Sequence, residues 1–141
     1  MTQEQQTAVK AVEEKQDLLG RVADEIWEYA ELSLQEVKSA ECYCQVLEEE
    51  GFRVERGICG IDTAFSAEFG NGSPRIGILA EYDALSGLSQ EAGSLERKEL
   101  ISGGCGHGCG HNLLGAGALG AALGVKAYLE KTGHPGTVIL Y

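Results

Sequence analysis

The sequence predicts an α/β fold, and three observations carry that prediction. Hydrophobic residues recur at helical spacing over most of the first 50 positions, short alternating or β-branched runs follow between residues 52 and 82, and a long small-residue helical pattern leads into a β-branched run at the end of the chain. A strand, a helix and a second strand in that order specify a βαβ crossover, whose strands are parallel and joined with right-handed connection.

Taken in order, residues from about Thr2 to Ala30 form the first of two N-terminal helices, with Val12, Leu19, Val22, Ile26 and Tyr29 spaced three, four or seven apart. Ser33 and Glu36 have the spacing of a capping box for the second helix. That helix runs to about Glu50, buries Val37, Ala40, Cys44 and Leu47, and stops at Gly51. Cys42 and Cys44 read as packing residues within it. Phe52 to Arg56, Thr63 to Phe69 and Arg75 to Tyr82 read as strands of a mixed sheet, the last two separated by Gly70-Asn71-Gly72-Ser73-Pro74 and expected to pair as a hairpin. The nearly continuous apolar run Ile76 to Ala80 suits a strand covered on both faces.

From Asp83 to Gly110 no periodic pattern survives, which inside a compact domain points to a functional loop. Asn112 is the expected N-cap of a helix from Leu113 to about Lys131. This helix carries Gly115, Gly117, Gly120 and Gly124, each costing about 1 kcal/mol relative to alanine, so close approach of the helix to a sheet is expected in return. Gly133 to Gly136 ends it, His134 is a surface residue in that turn, and Thr137 to Tyr141 is the closing strand.

The 141 residues are 43% hydrophobic, enough for one folded core. Of the formal charge of -11, the first 50 residues contribute -9, from 13 acidic and 4 basic side chains. This reads as a solvated helical surface and argues against nucleic-acid binding. No secretory signal opens the sequence, no membrane span is expected, and five cysteines do not form a disulfide framework, so a cytoplasmic protein is expected.

The chemistry concentrates in Gly103-Gly104-Cys105-Gly106-His107-Gly108-Cys109-Gly110-His111-Asn112, which sets a thiol or an imidazole at every second position with glycine between. Thiolate and imidazole are ligands of zinc and related divalent metals. Two readings stay open. Cys105, His107, Cys109 and His111 could close a structural zinc site, although structural sites usually draw ligand pairs from separated segments. Alternatively Cys109 and His111 bind a metal beside Asp83, which emerges at the carboxyl end of a parallel strand, where α/β folds place their sites. Glu81 is the other carboxylate there, with its side chain expected on the opposite face; Asp83, nearer the strand end, is the preferred catalytic carboxylate.

The segments Gly77 to Gln90 and Gly106 to Gly115, with Ala23-Asp24-Glu25-Ile26-Trp27 and Ser39-Ala40-Glu41, resemble the aminobenzoyl-glutamate utilization protein B branch of the aminoacylase and carboxypeptidase-G metallopeptidases. The resemblance implies the N-terminal part of a zinc-exopeptidase-like catalytic domain. It also implies a two-metal amidohydrolase, holding zinc or manganese, that cleaves small N-acyl amino acids or dipeptides and forms homo- or hetero-oligomers. Cys109 and His111 match metal ligands of the family, His107 matches the first histidine of the loop, and Asp83 matches an aspartate that orients a ligand in relatives with a His-x-Asp motif. Glu81 stands where those relatives have histidine, and Cys105 matches no ligand. The general-base glutamate, further ligands and a smaller dimerisation domain are expected beyond Tyr141, so residues 1–141 are expected to be an incomplete portion, inactive alone or completed by a partner chain.

Overall fold

The computed structural model describes residues 1–141 and has four helices and a four-stranded mixed sheet. Helices α1 (Gln3–Glu14), α2 (Gln16–Tyr29) and α3 (Val37–Glu49) precede strands β1 (Arg53–Arg56), β2 (Phe65–Asn71) and β3 (Arg75–Ile78); α4 (His111–Thr132) and β4 (Gly136–Leu140) follow the long loop.

The first helix expected from the sequence is two. The helix is interrupted at Lys15 (φ -99°, ψ 10°), and both halves pack on α4, but only the second half also reaches the core beneath α3. Helix α1 buries no residue fully and lays Ala8 and Val12 against α4, whereas α2 drives Val22, Ala23 and Ile26 into the core. Lys15 is tied to the carboxylate of Glu50, and Lys126 donates to the Glu50 carbonyl at 2.6 Å.

A capping box does exist, at Thr2 and Gln5 of α1 and not at Ser33 and Glu36. The orphan amides opening α3 are met by a carboxylate from outside the helix: Glu31 accepts from the backbone of Lys38 at 3.0 Å and from the amide and hydroxyl of Ser39 at 2.9 Å each. Glu36 is thereby free to turn inward, where it accepts from the Thr63 hydroxyl at 2.8 Å. The buried face of α3 is Ser39, Cys42, Tyr43, Cys44, Val46 and Leu47, while Val37, expected inside, is 68% exposed.

The sheet order is β1-β2-β4-β3. The expected hairpin between the second and third strands does not form, because β4 lies between them, antiparallel to β2 and parallel to β3 with Ile76 opposite Val138 and Ile78 opposite Leu140. The crossover β3-α4-β4 is therefore present. Strand β3 is an edge with Ile76 51% exposed, whereas every residue of β4 is buried; the strand covered on both faces is β4. The face carrying Ala67, Val138 and Leu140 joins α2, α3 and α4 in one core, and on the other Glu68 accepts from Arg53 and Arg75.

Helix α4 has the length, 22 residues, and mean hydropathy, 1.2, of a membrane-crossing segment, contrary to the expectation that no stretch approaches one; 44% of that apolar window is buried in this fold. Its glycines explain the packing, though chiefly against helices. A Cβ on Gly120 would meet Leu19 and Val12, one on Gly124 would meet Val12 and Ala8, and one on Gly115 would lie 2.4 Å from the Tyr43 hydroxyl and 3.0 Å from the Glu81 carbonyl. Nothing stands near Gly117, and no feature of the structure explains that glycine. Gly115→Ala is therefore expected to destabilise the fold by about 1–3 kcal/mol through overpacking. Gly117→Ala should stabilise it by up to about 1 kcal/mol. Urea unfolding of the two variants checks both signs.

Candidate metal centre

Three side chains converge where the chain leaves β3 and re-enters α4. One ligand atom from each of Glu81, Asp83 and His111 lies within 4.8 Å of the other two. The geometry centres on the imidazole. Nδ1 of His111 is 2.7 Å from Asp83 Oδ1, while Nε2 is 2.9 Å from Glu81 Oε2 and 3.2 Å from Cys109 Sγ.

Local backbone rules put these groups there. Gly110, at φ 86°, is the N-cap of α4 in place of the expected Asn112, and its carbonyl accepts from the amides of both Leu113 and Leu114 at 3.0 Å. This left-handed turn, open to glycine at little cost, makes His111 the first helical residue and swings its ring toward the strand end. Asn112 serves packing instead, donating from Nδ2 to the Ala23 carbonyl at 3.2 Å. On the strand side, Ala84 donates its amide to the Glu31 carbonyl at 2.7 Å, which fixes the chain just beyond Asp83.

The expectation that Glu81 and Asp83 face opposite ways is overturned, since both reach the same imidazole. Residues two apart in extended chain share a face, and that rule applied to Glu81 would have found it from the sequence. The other loop candidates lie apart. His107 Nε2 is 2.9 Å from the Ile26 carbonyl and its Nδ1 is buried without a partner; burial pushes its pKa below the ordinary value, opposed by that carbonyl. None of Cys105, His107 and Cys109 joins a group of three converging ligand atoms, Cys109 meeting His111 alone, so the four-ligand structural site is not assembled.

The residues present fit a divalent ion by their chemistry. The Glu81 carboxylate oxygen and the Cys109 sulfur flank the imidazole nitrogen Nε2, while Asp83 accepts the Nδ1 proton and so leaves Nε2 with its lone pair for a ligand. That mixed donor set suits zinc and its neighbours.

No protein-family model matches the chain. It is 47% identical over 131 residues to the B component of the p-aminobenzoyl-glutamate hydrolase of Escherichia coli K12, covering 93% of this chain and 27% of the relative. It is 29% identical over 138 residues to the Xaa-Arg dipeptidase of Mus musculus, covering 91% of this chain and 28% of that one. Among solved structures, a protein named as an aminohydrolase from methicillin-resistant Staphylococcus aureus superposes with a TM-score of 0.76 at 20% identity, over 96% of this chain and 33% of the other, a likeness of fold. A dinuclear metal-binding peptidase of the M20 family from Bacillus subtilis superposes at 0.67 with 26% identity, over 88% of this chain and 34% of that one. The chain thus resembles a component of aminobenzoyl-glutamate hydrolase in sequence and the M20 peptidases in fold, and spans only 27% and 28% of the two curated relatives.

All five cysteines are free, and their settings differ. Burial, with Glu25 at 3.2 Å adding to it, pushes the Cys42 thiol up to about 12, and burial pushes Cys44 up to about 11. Cys59 and Cys109 are exposed. An alkylating reagent at pH 8 is expected to label Cys59 and Cys109 in the native chain, and Cys42 and Cys44 only in denaturant, as counted by mass spectrometry. Zinc should then protect Cys109 but not Cys59, and His111→Ala should remove the protection.

Proposed function

We propose that this chain supplies the N-terminal portion of the catalytic domain of a cytoplasmic, metal-dependent amidohydrolase. Glu81, Cys109 and His111 hold a divalent ion, zinc or manganese, and Asp83 holds His111. The observation that carries the proposal is the approach of two unlike donors, the Glu81 carboxylate and the Cys109 thiol, to one imidazole nitrogen whose ring is fixed from behind at 2.7 Å. His107, with Nε2 on the Ile26 carbonyl and Nδ1 buried, stands outside this ligand set.

An ion bound there supplies Lewis-acid polarisation of an amide carbonyl. The chain's own residues do the positioning. Asp83 keeps the Nδ1 proton and the ring plane fixed, so its role is to orient a ligand, not to serve as the general base that its place at the strand end suggests. The backbone at Gly110 and Ala84 fixes the two sides of the centre relative to each other. The general base and the remaining donors come from chain beyond these residues or from a partner chain, which accounts for a centre with few donors here. The names of the two curated relatives supply the first substrates to test, aminobenzoyl-glutamate and dipeptides ending in arginine.

A second reading comes from the same geometry: a thiol 3.2 Å from an imidazole that a carboxylate holds is the arrangement of a cysteine nucleophile. Glu81 weighs against it, because its carboxylate lies nearer than the thiol to the nitrogen that would take the thiol proton. Chelation separates the two, abolishing hydrolysis by a metal centre and sparing a thiol enzyme.

In the complete enzyme, Cys109→Ser and His111→Ala are expected to lower metal content and amide hydrolysis together. Asp83→Asn should weaken metal affinity about 10–100-fold, the usual scale for removing the partner of a ligating histidine. Metal analysis alongside the hydrolysis assay checks this, and full metal stoichiometry in both ligand variants refutes the assignment.

A further inference from the structure

A cavity of about 450 Å³ opens beside the centre, and its wall includes Glu81, Asp83 and His111 at one end. Away from that end the lining is mostly apolar, with Leu34, Ile58, Ile61 and Phe65, but it includes Glu36, which is only 6% exposed. One oxygen of Glu36 accepts from the Thr63 hydroxyl at 2.8 Å; the other makes no hydrogen bond, and no Lys, Arg or His lies within ion-pair distance of either. No lysine or arginine lines the cavity anywhere.

A carboxylate this buried normally has a compensating charge, because an isolated one carries a large desolvation cost. Glu81 and Asp83 both contact the His111 ring, so Glu36 is the one acid of this cavity without a basic partner.

We infer that this cavity is a subsite for a basic arm of the substrate, an aliphatic chain ending in an ammonium or guanidinium group. Glu36 receives the charge, and Leu34, Ile58, Ile61 and Phe65 enclose the methylenes. The inference rests on the hydrolase reading for the identity of the ligand as substrate, but the recognition itself needs only these residues.

The test is a titration of the isotopically labelled chain, followed by amide NMR, with n-butylammonium and with n-butanol as its uncharged counterpart. The ammonium is expected to shift Thr63 and Phe65 and to saturate at concentrations at least about tenfold lower than the alcohol, as one well-placed ion pair allows. In Glu36→Gln that preference should vanish. Equal response to both probes, or a preference undiminished in Glu36→Gln, overturns the inference. Should Glu36→Gln fail to fold, Ile61→Arg, at a position 41% exposed, provides an internal cation and is expected to abolish the ammonium response; persistence of the response overturns the proposal as well. Zinc protection of Cys109 in the same samples separates the two readings. Protection without cation preference removes this inference alone, and cation preference without protection removes the metal centre alone.

Discussion

The hydrogen bond between Asp83 and His111 is the constraint on which the site depends. It joins the segment that leaves β3 to the first residue of α4, two points separated by the whole irregular loop. Loop closure over that length costs entropy, and the crossover meets most of it by placing β3 and β4 side by side with α4 across them. The hydrogen bond then works at short range, choosing ring orientation and tautomer within a frame already set. The Gly110 turn and the Glu31 to Ala84 backbone contact are the supports on its two sides.

Helix packing and site geometry are the same problem at Gly115. Without a side chain there, α4 comes close enough for the Tyr43 hydroxyl and the Glu81 carbonyl to occupy the space a methyl would need. The backbone of a candidate ligand residue therefore rests directly on the helix that carries His111. One turn further and beyond, Gly120 and Gly124 let the same helix settle against Val12 of α1 and Leu19 of α2, so one small-residue face receives both N-terminal helices. The propensity cost of these glycines, about 1 kcal/mol each, is offset by contacts made in three directions.

Much of this was legible in the residues, and the failures have physical causes. The crossover, the irregular loop and the grouping of Cys109, His111 and Asp83 follow from patterns local to each segment. Pairing between strands is not local: the turn Gly70 to Pro74 looked like a hairpin connection, but only the apolar content of β4, buried along its length, decides that it takes the central place between β2 and β3. The capping of α3 by Glu31 could not be read from box spacing, because the acceptor belongs to the preceding segment and not to the helix. Four candidate ligands of two types at alternating positions left a closed site open as one reading, yet in a loop anchored by the Ile26 carbonyl at His107 and by the Gly110 turn, alternate residues are directed to different neighbours.

Strand β3 has one further implication. Its inner side is satisfied by β4, but its outer side offers a row of amide and carbonyl groups to solvent, with Ile76 half-exposed and Leu79 81% exposed just past its end. Neither a bulge nor an inward lysine blunts this border, and Arg75 at its start is engaged with Glu68. Such a border is adhesive: at high concentration it invites a second molecule to zip on strand by strand, along four residues whose far end leads straight into the metal centre.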